Sequence, residues 1–97
     1  MKVLITNDDG IDSEGLKVAE SIALGLVKKQ DDIYIVAPSE EQSGSGHGLI
    51  SYQRPVKLKK VSRNKYKLNG TPADCVLAGL TQIMCDEKPS LLISGVN

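Results

Sequence analysis

Residues 2–6, Lys-Val-Leu-Ile-Thr, form a short apolar run, and residues 33–37, Ile-Tyr-Ile-Val-Ala, form a second. Between them Leu16, Ala19, Ile22, Ala23, Leu26 and Val27 recur at steps of three and four. This strand–helix–strand rhythm constrains the chain more than any other feature. A helix-length crossover makes the two strands parallel, with a right-handed connection. Parallel sheets are covered on both faces, so the expected class is α/β. The helix is expected over about 13–28, capped by Asp12 or Ser13, with Lys28 and Lys29 suiting its dipole. Pro38 stops the second strand.

The rest of the chain extends the same scheme. Residues 38–48, PSEEQSGSGHG, form a loop dense in Ser and Gly. From 49 to 69 apolar residues alternate with lysines around Ser62-Arg63-Asn64, the pattern of a hairpin with one wet face. In GTPADCVLAGLTQIM, Thr71 caps a helix, Pro72 takes its first position and Asp74 its third. Val76, Leu77, Leu80, Ile83 and Met84 are its expected apolar face. A last strand is expected at about 90–94, followed by Gly95 and Asn97. Three parallel strands would then end at Thr6, Ala37 and Ser94. Open α/β sheets bind ligands beyond the carboxyl ends of their strands. The loops there, NDDG, PSEEQSGSGHG and SGVN, are all polar and carry glycine.

Composition narrows the partners. With 97 residues the chain holds one domain at most, and its 40% hydrophobic and 25% charged content is that of a soluble globular protein. No apolar run approaches the roughly 20 residues that span a bilayer. The amino terminus has one lysine and a short apolar run that stops at acids, unlike a signal peptide, so the cytoplasm is the expected compartment. Cys75 and Cys85 lack metal or redox spacing, and ten helical residues separate them by about 15 Å, so buried thiols are expected. The formal charge of zero divides into −5 over residues 1–45 and +5 over 46–97, with seven bases between Arg54 and Lys67. A basic stripe can attract nucleic acid, but a solvated strand pair has the same pattern. With three Tyr and no Phe or Trp, base-stacking platforms are not expected.

Asp8 and Asp9, at the end of the first strand, pose the chemical question. Adjacent carboxylates repel and lose hydration near a core. Either they sit in a solvated turn, or a cation lies between them. Their hard oxygens, with the Ser43 hydroxyl and the Asn97 amide oxygen, would favour Mg²⁺ or Mn²⁺ over zinc or copper. Such a metal polarises phosphoryl oxygens and acidifies a bound water, which suits phosphoester hydrolysis. GSGHG offers a backbone cradle for phosphate or is simply a loop; it fails the dinucleotide pattern because residue 49 is Leu. His47, the only imidazole, is either a proton donor near neutral pH or an exposed loop residue. Phosphoacceptor receiver domains also pair acids after their first strand, but the third aspartate they require is missing from the later exits. A non-catalytic nucleotide-binding module is the alternative that shares this scaffold.

Taken together and in order, TNDDGIDSEGL, VAPSEEQSGSGHG, GTPADCV and SGVN make the chain closely resemble the amino-terminal part of the SurE family of metal-dependent nucleotidases. The resemblance implies a Rossmann-like, three-layer α/β fold with a mostly parallel sheet. It implies hydrolysis of nucleoside 5′- and 3′-monophosphates to nucleoside and phosphate, with exopolyphosphatase activity in some members. It further implies one divalent cation per subunit, Mg²⁺ or Mn²⁺, and a homodimer or homotetramer, with no nucleic-acid or membrane partner. Carried onto this sequence, the metal ligands are Asp8, Asp9, Ser43 and Asn97, with Asp8 and Asp9 also catalytic. Family members are longer, so residues 1–97 are expected to be the amino-terminal part of a single α/β nucleotidase domain.

Overall fold

The computed structural model describes residues 1–40 and 56–95. Its elements are β1 (Val3–Thr6), α1 (Glu14–Leu24), a 3-10 turn (Gln30–Asp32), β2 (Ile33–Pro38), β3 (Leu58–Ser62), β4 (Lys65–Leu68), α2 (Pro72–Ala78), a π-turn (Gly79–Ile83) and β5 (Leu91–Ser94). They build one five-stranded sheet in the order β3-β4-β2-β1-β5. All neighbours pair in parallel except β3 with β4, which form the expected antiparallel hairpin. The mostly parallel α/β class is confirmed.

Strand periodicity divides the core between two faces. Val3, Ile5, Ile33, Ile35 and Ala37 meet Leu16, Ala19 and Ala23 of α1. Leu4, Val36 and Leu68 point the other way, onto Cys75, Ala78 and Met84. The chain runs from β1 to β2 in one direction, and from β4 back across to β5 in the other. Right-handed crossovers in opposite directions place the two helices on opposite faces, so three layers result.

Both helix starts are as expected. The Ser13 hydroxyl accepts from Leu16 N at 3.2 Å, and Thr71 and Asp74 form a reciprocal capping box before Pro72. The ends differ. α1 stops at Leu24 rather than near residue 28, because Gly25 is a weak helix former and the next turn tightens, with Leu26 N bonding Ala23 O at 2.9 Å. Lys28 and Lys29 therefore lie outside the helix, and Ile22 and Leu26 are exposed instead of packed. Ile11, in the loop before α1, joins the core in their place. In the second helical segment the π-turn, closed by Met84 N to Gly79 O at 2.8 Å, shifts the phase. Met84 is buried, Leu77 faces out, and Cys85 is exposed rather than buried.

The hairpin turns at Arg63–Asn64, and Asn64 adopts a φ of 58°, a conformation that Asn tolerates better than most residues. The alternation of VKLKKV fails at Lys60-Val61, and a bulge between Lys60 and Ser62 absorbs the extra residue. Val56, Leu58 and Tyr66 pack against the second cluster. Lys59 and Lys60 are exposed.

Candidate active site

Four parallel strands deliver their carboxyl ends to one edge of the sheet. Backbone bonds stitch those exits together. Ile11 N donates to Pro38 O at 2.8 Å, Ser39 N to Leu68 O at 2.9 Å and Gly95 N to Thr6 O at 3.0 Å. The strand order reverses at β1, which has β2 on one side and β5 on the other. That is the topological switch point, where α/β sheets form their binding crevice.

Asp8 and Asp9 leave β1 at this point, both half-buried. The turn that carries them is built from its own neighbours. Asn7 is fully buried; its Nδ2 donates to Gly10 O at 2.9 Å and to Ser13 Oγ at 2.7 Å, and its Oδ1 accepts from Gly10 N at 3.2 Å. Gly10 has a φ of 108°, which a side chain would strain. Ile11 then plugs the loop into the first core cluster. None of these bonds uses a carboxylate oxygen. Oδ1 of Asp8 is buried and has no hydrogen-bond partner among the described residues. An anionic oxygen buried without a donor is costly, and a bound cation answers that cost. The donor chemistry also fits, since carboxylates are ligands for hard divalent ions.

The expected ligand Asn97 follows β5, which lies beside β1 and parallel to it, with Ser94 paired to Thr6. Gly95 takes a φ of 128° and turns the chain at the crevice. This is the strand arrangement that a shared site requires. Asn97 itself, together with Ser43 and His47, lies outside the described residues. Among the described residues no three His, Cys, Asp or Glu side chains gather.

Two features of this edge were not legible beforehand. Asn7, which reads as an ordinary turn residue, is the centre of the loop's hydrogen bonding. Asp74, read only as a dipole partner, is a buried acid whose Oδ2 accepts from Thr71 N at 2.9 Å and Thr71 Oγ1 at 3.0 Å. Behind it, burial pushes the Cys75 thiol up to about 12, with the Thr6 hydroxyl opposing and the Asp74 charge adding to the shift. A thiol held neutral is not a metal ligand or nucleophile. At the opposite, amino edge of the sheet, Gln30, Asp31, Arg63 and Asn64 line a pocket of about 210 Å³. Its Arg63–Asp31 pair, at 3.0 Å, is solvent-exposed on both sides and contributes little. The two adjacent acids lie at the other edge.

Comparison with known proteins identifies the family. The family described as "Survival protein SurE" matches residues 3–97. A protein from Parvibaculum lavamentivorans named 5′-nucleotidase SurE is 47% identical over the whole chain, which covers 34% of that protein. Another of the same name, from Rhizobium rhizogenes, is 52% identical, with 36% of it covered. The crystal structure of the SurE protein from Aquifex aeolicus superposes with a TM-score of 0.86 at 38% identity, covering the whole of this chain and 38% of that one. The chain thus spans about a third of the length of the relatives it matches. No helix among the described residues is long and apolar enough to cross a membrane.

Proposed function

This chain belongs to the SurE family, and from that premise we propose that it contributes the metal-binding edge of a phosphomonoester hydrolase acting on nucleoside monophosphates. The observation that carries the reading is the pairing of β1 with β5. It brings the exit that bears Asp8 and Asp9 next to the exit that leads to Asn97, beside a buried carboxylate oxygen with no donor among the described residues. We assign Asp8, Asp9, Ser43 and Asn97 as the ligands of one divalent cation, Mg²⁺ or Mn²⁺. When bound, that cation neutralises phosphate charge and acidifies a water molecule. The chain's own residues do the rest. Asp8 and Asp9 fix the position of the ion, and one carboxylate orients the attacking water and takes its proton. Attack breaks the P–O ester bond, the proton taken from the water passes to the leaving oxygen, and nucleoside and inorganic phosphate are released.

The names of the relatives support a 5′-nucleotidase. The wider reading adds 3′-monophosphates and polyphosphate ends as substrates, a homodimer or homotetramer, and a cytoplasmic location. Residues 1–97 form the amino-terminal part of a single α/β nucleotidase domain on this reading. The test is phosphate release by the full-length protein from a panel of mononucleotides, with Mn²⁺ and with EDTA. Repeated turnover that stops on chelation is expected. Stoichiometric nucleotide binding with no phosphate released would replace the enzyme by a binding module. Turnover that persists after complete metal removal would refute the mechanism.

A further inference from the structure

We propose that Asn7 is a positioning residue, which holds Asp8 and Asp9 in place for the cation before it arrives; the inference rests on the metal reading above. The carboxamide of Asn7 behaves like a peptide group. Its oxygen takes the N–H of Gly10 at 3.2 Å, and its nitrogen gives a hydrogen to the carbonyl of the same residue at 2.9 Å. The two acids are thus the middle of a four-residue loop whose ends are clamped by one side chain. The second amide hydrogen reaches Ser13 Oγ at 2.7 Å, and that oxygen also caps α1 by accepting from Leu16 N at 3.2 Å. The clamp is therefore fastened to the start of a helix.

The chemistry of Asn matches these partners one for one. A carbonyl oxygen only accepts and a peptide N–H only donates, so the amide has one possible orientation. Aspartate could keep the bond from Gly10 N but has no hydrogens for Gly10 O, and it would place a third negative charge beside the pair. Serine and alanine are too short to span the loop. Asn7 is fully buried and touches no solvent, so its amide is not a surface turn device.

Holding two like charges together is the physical problem that the clamp answers. A free loop would relax by moving the carboxylates apart, and a cation would then have to reorder the loop as it bound. A loop already fixed by bonds that spare the acids leaves that ordering cost to folding. Partners that orient metal ligands from behind are typically worth about 10- to 100-fold in metal affinity.

The test is a titration of the metal-free, full-length protein with Mn²⁺ alone, followed by loss of the free-ion electron paramagnetic resonance signal. Asn7→Ala is expected to weaken Mn²⁺ binding by about 10- to 100-fold. Ser13→Ala, which leaves Asn7 in place and removes the acceptor of its shortest bond, is expected to weaken it less, and Ser13→Thr to restore it. Ile33→Val, a core change at the far end of β2, is the control. It lowers the unfolding midpoint without moving the affinity of the folded protein. If Asn7→Ala does not fold, the Ser13 pair decides. Mn²⁺ affinities of the Ser13→Ala and any folded Asn7→Ala protein within twofold of the unsubstituted one would overturn the role of Asn7 alone. Absence of Mn²⁺ binding by the unsubstituted protein would instead overturn the metal reading itself, and this inference with it.

Discussion

Replacing Asp8 by Asn should have opposite effects on stability with and without metal. Oδ1 of Asp8 is buried with no donor among the described residues, and Asp9 follows directly in the chain. An unsatisfied buried polar group costs about 1–3 kcal/mol, more when it is charged. Repulsion between half-exposed carboxylates adds on the order of 1 kcal/mol. The Asn amide keeps the shape and leaves one unpartnered atom, so only the part due to charge is recovered. About 1 kcal/mol of added stability is therefore expected for the metal-free variant. Mn²⁺ at one hundred times its dissociation constant stabilises the unsubstituted protein by about 2.7 kcal/mol. If removal of a ligand weakens binding a hundredfold, the same Mn²⁺ gives the variant only about 0.4 kcal/mol. The order of stabilities then inverts: Asp8→Asn is the more stable protein in EDTA and the less stable one in Mn²⁺, by about 1.3 kcal/mol. Urea unfolding of the full-length proteins at constant slope reads both differences as midpoints. The same ranking in both buffers would refute the account of the orphaned oxygen as a metal ligand.

At Gly79 an added Cβ would come within 2.9 Å of Leu4 Cδ2, so Gly79→Ala is expected to cost about 1–3 kcal/mol of overpacking despite a helix-propensity gain of up to about 1 kcal/mol. In a Leu4→Ala background the same change should stabilise, and urea unfolding of the four proteins measures the coupling. The thiols separate by burial: Cys85 should react quickly with a thiol reagent in the native protein, and Cys75 only on unfolding. Because folding raises the Cys75 pKa from 9.0 to about 12, its stabilising contribution is complete below pH 9 and lost as the pH climbs towards 12. A loss of stability between pH 9 and 11 that Cys75→Ala fails to reduce would contradict that assignment.

The sequence made the layers visible because they follow from periodicity. Alternation in β1 and β2 and a right-handed crossover suffice to place α1 on one face, and the Ser13 and Thr71 caps are written in the local chemistry. The misses have a common cause. Ile22, Leu26 and Leu77 are apolar at nearly helical spacing, yet burial depends on where a helix stops and on its phase. Gly25 ended one helix early and left Leu26 outside it, the other stopped at Ile83, and Ile22 and Leu77 lie within regular helix on its solvent side. Cys85 was misplaced for the same reason. As candidates, Asp8 and Asp9 were legible because paired acids after a buried strand have few explanations. Asn7 was not, since an Asn before Asp-Asp-Gly looks like any turn until its partners are known.

Not every acid at this edge is available to a ligand, and the hydrogen bonds tell them apart. Asp74 is almost fully buried, and its Oδ2 takes both the backbone N–H and the hydroxyl of Thr71. Its charge is spent on starting α2, where the helix dipole also favours it. Among the described residues no such bond engages Asp8 or Asp9. The turn that holds them is satisfied by Asn7, Ser13 and backbone groups, down to the bond between Ile11 and Pro38. Folding consequently completes the loop without using the carboxylates, which leaves them open to the proposed cation. A local structure that met its own needs through Asp8 or Asp9 would fold equally well and bind nothing. The proposed metal site rests on this division of labour between a structural acid in a capping box and two acids at a strand exit that the described hydrogen bonds leave unused.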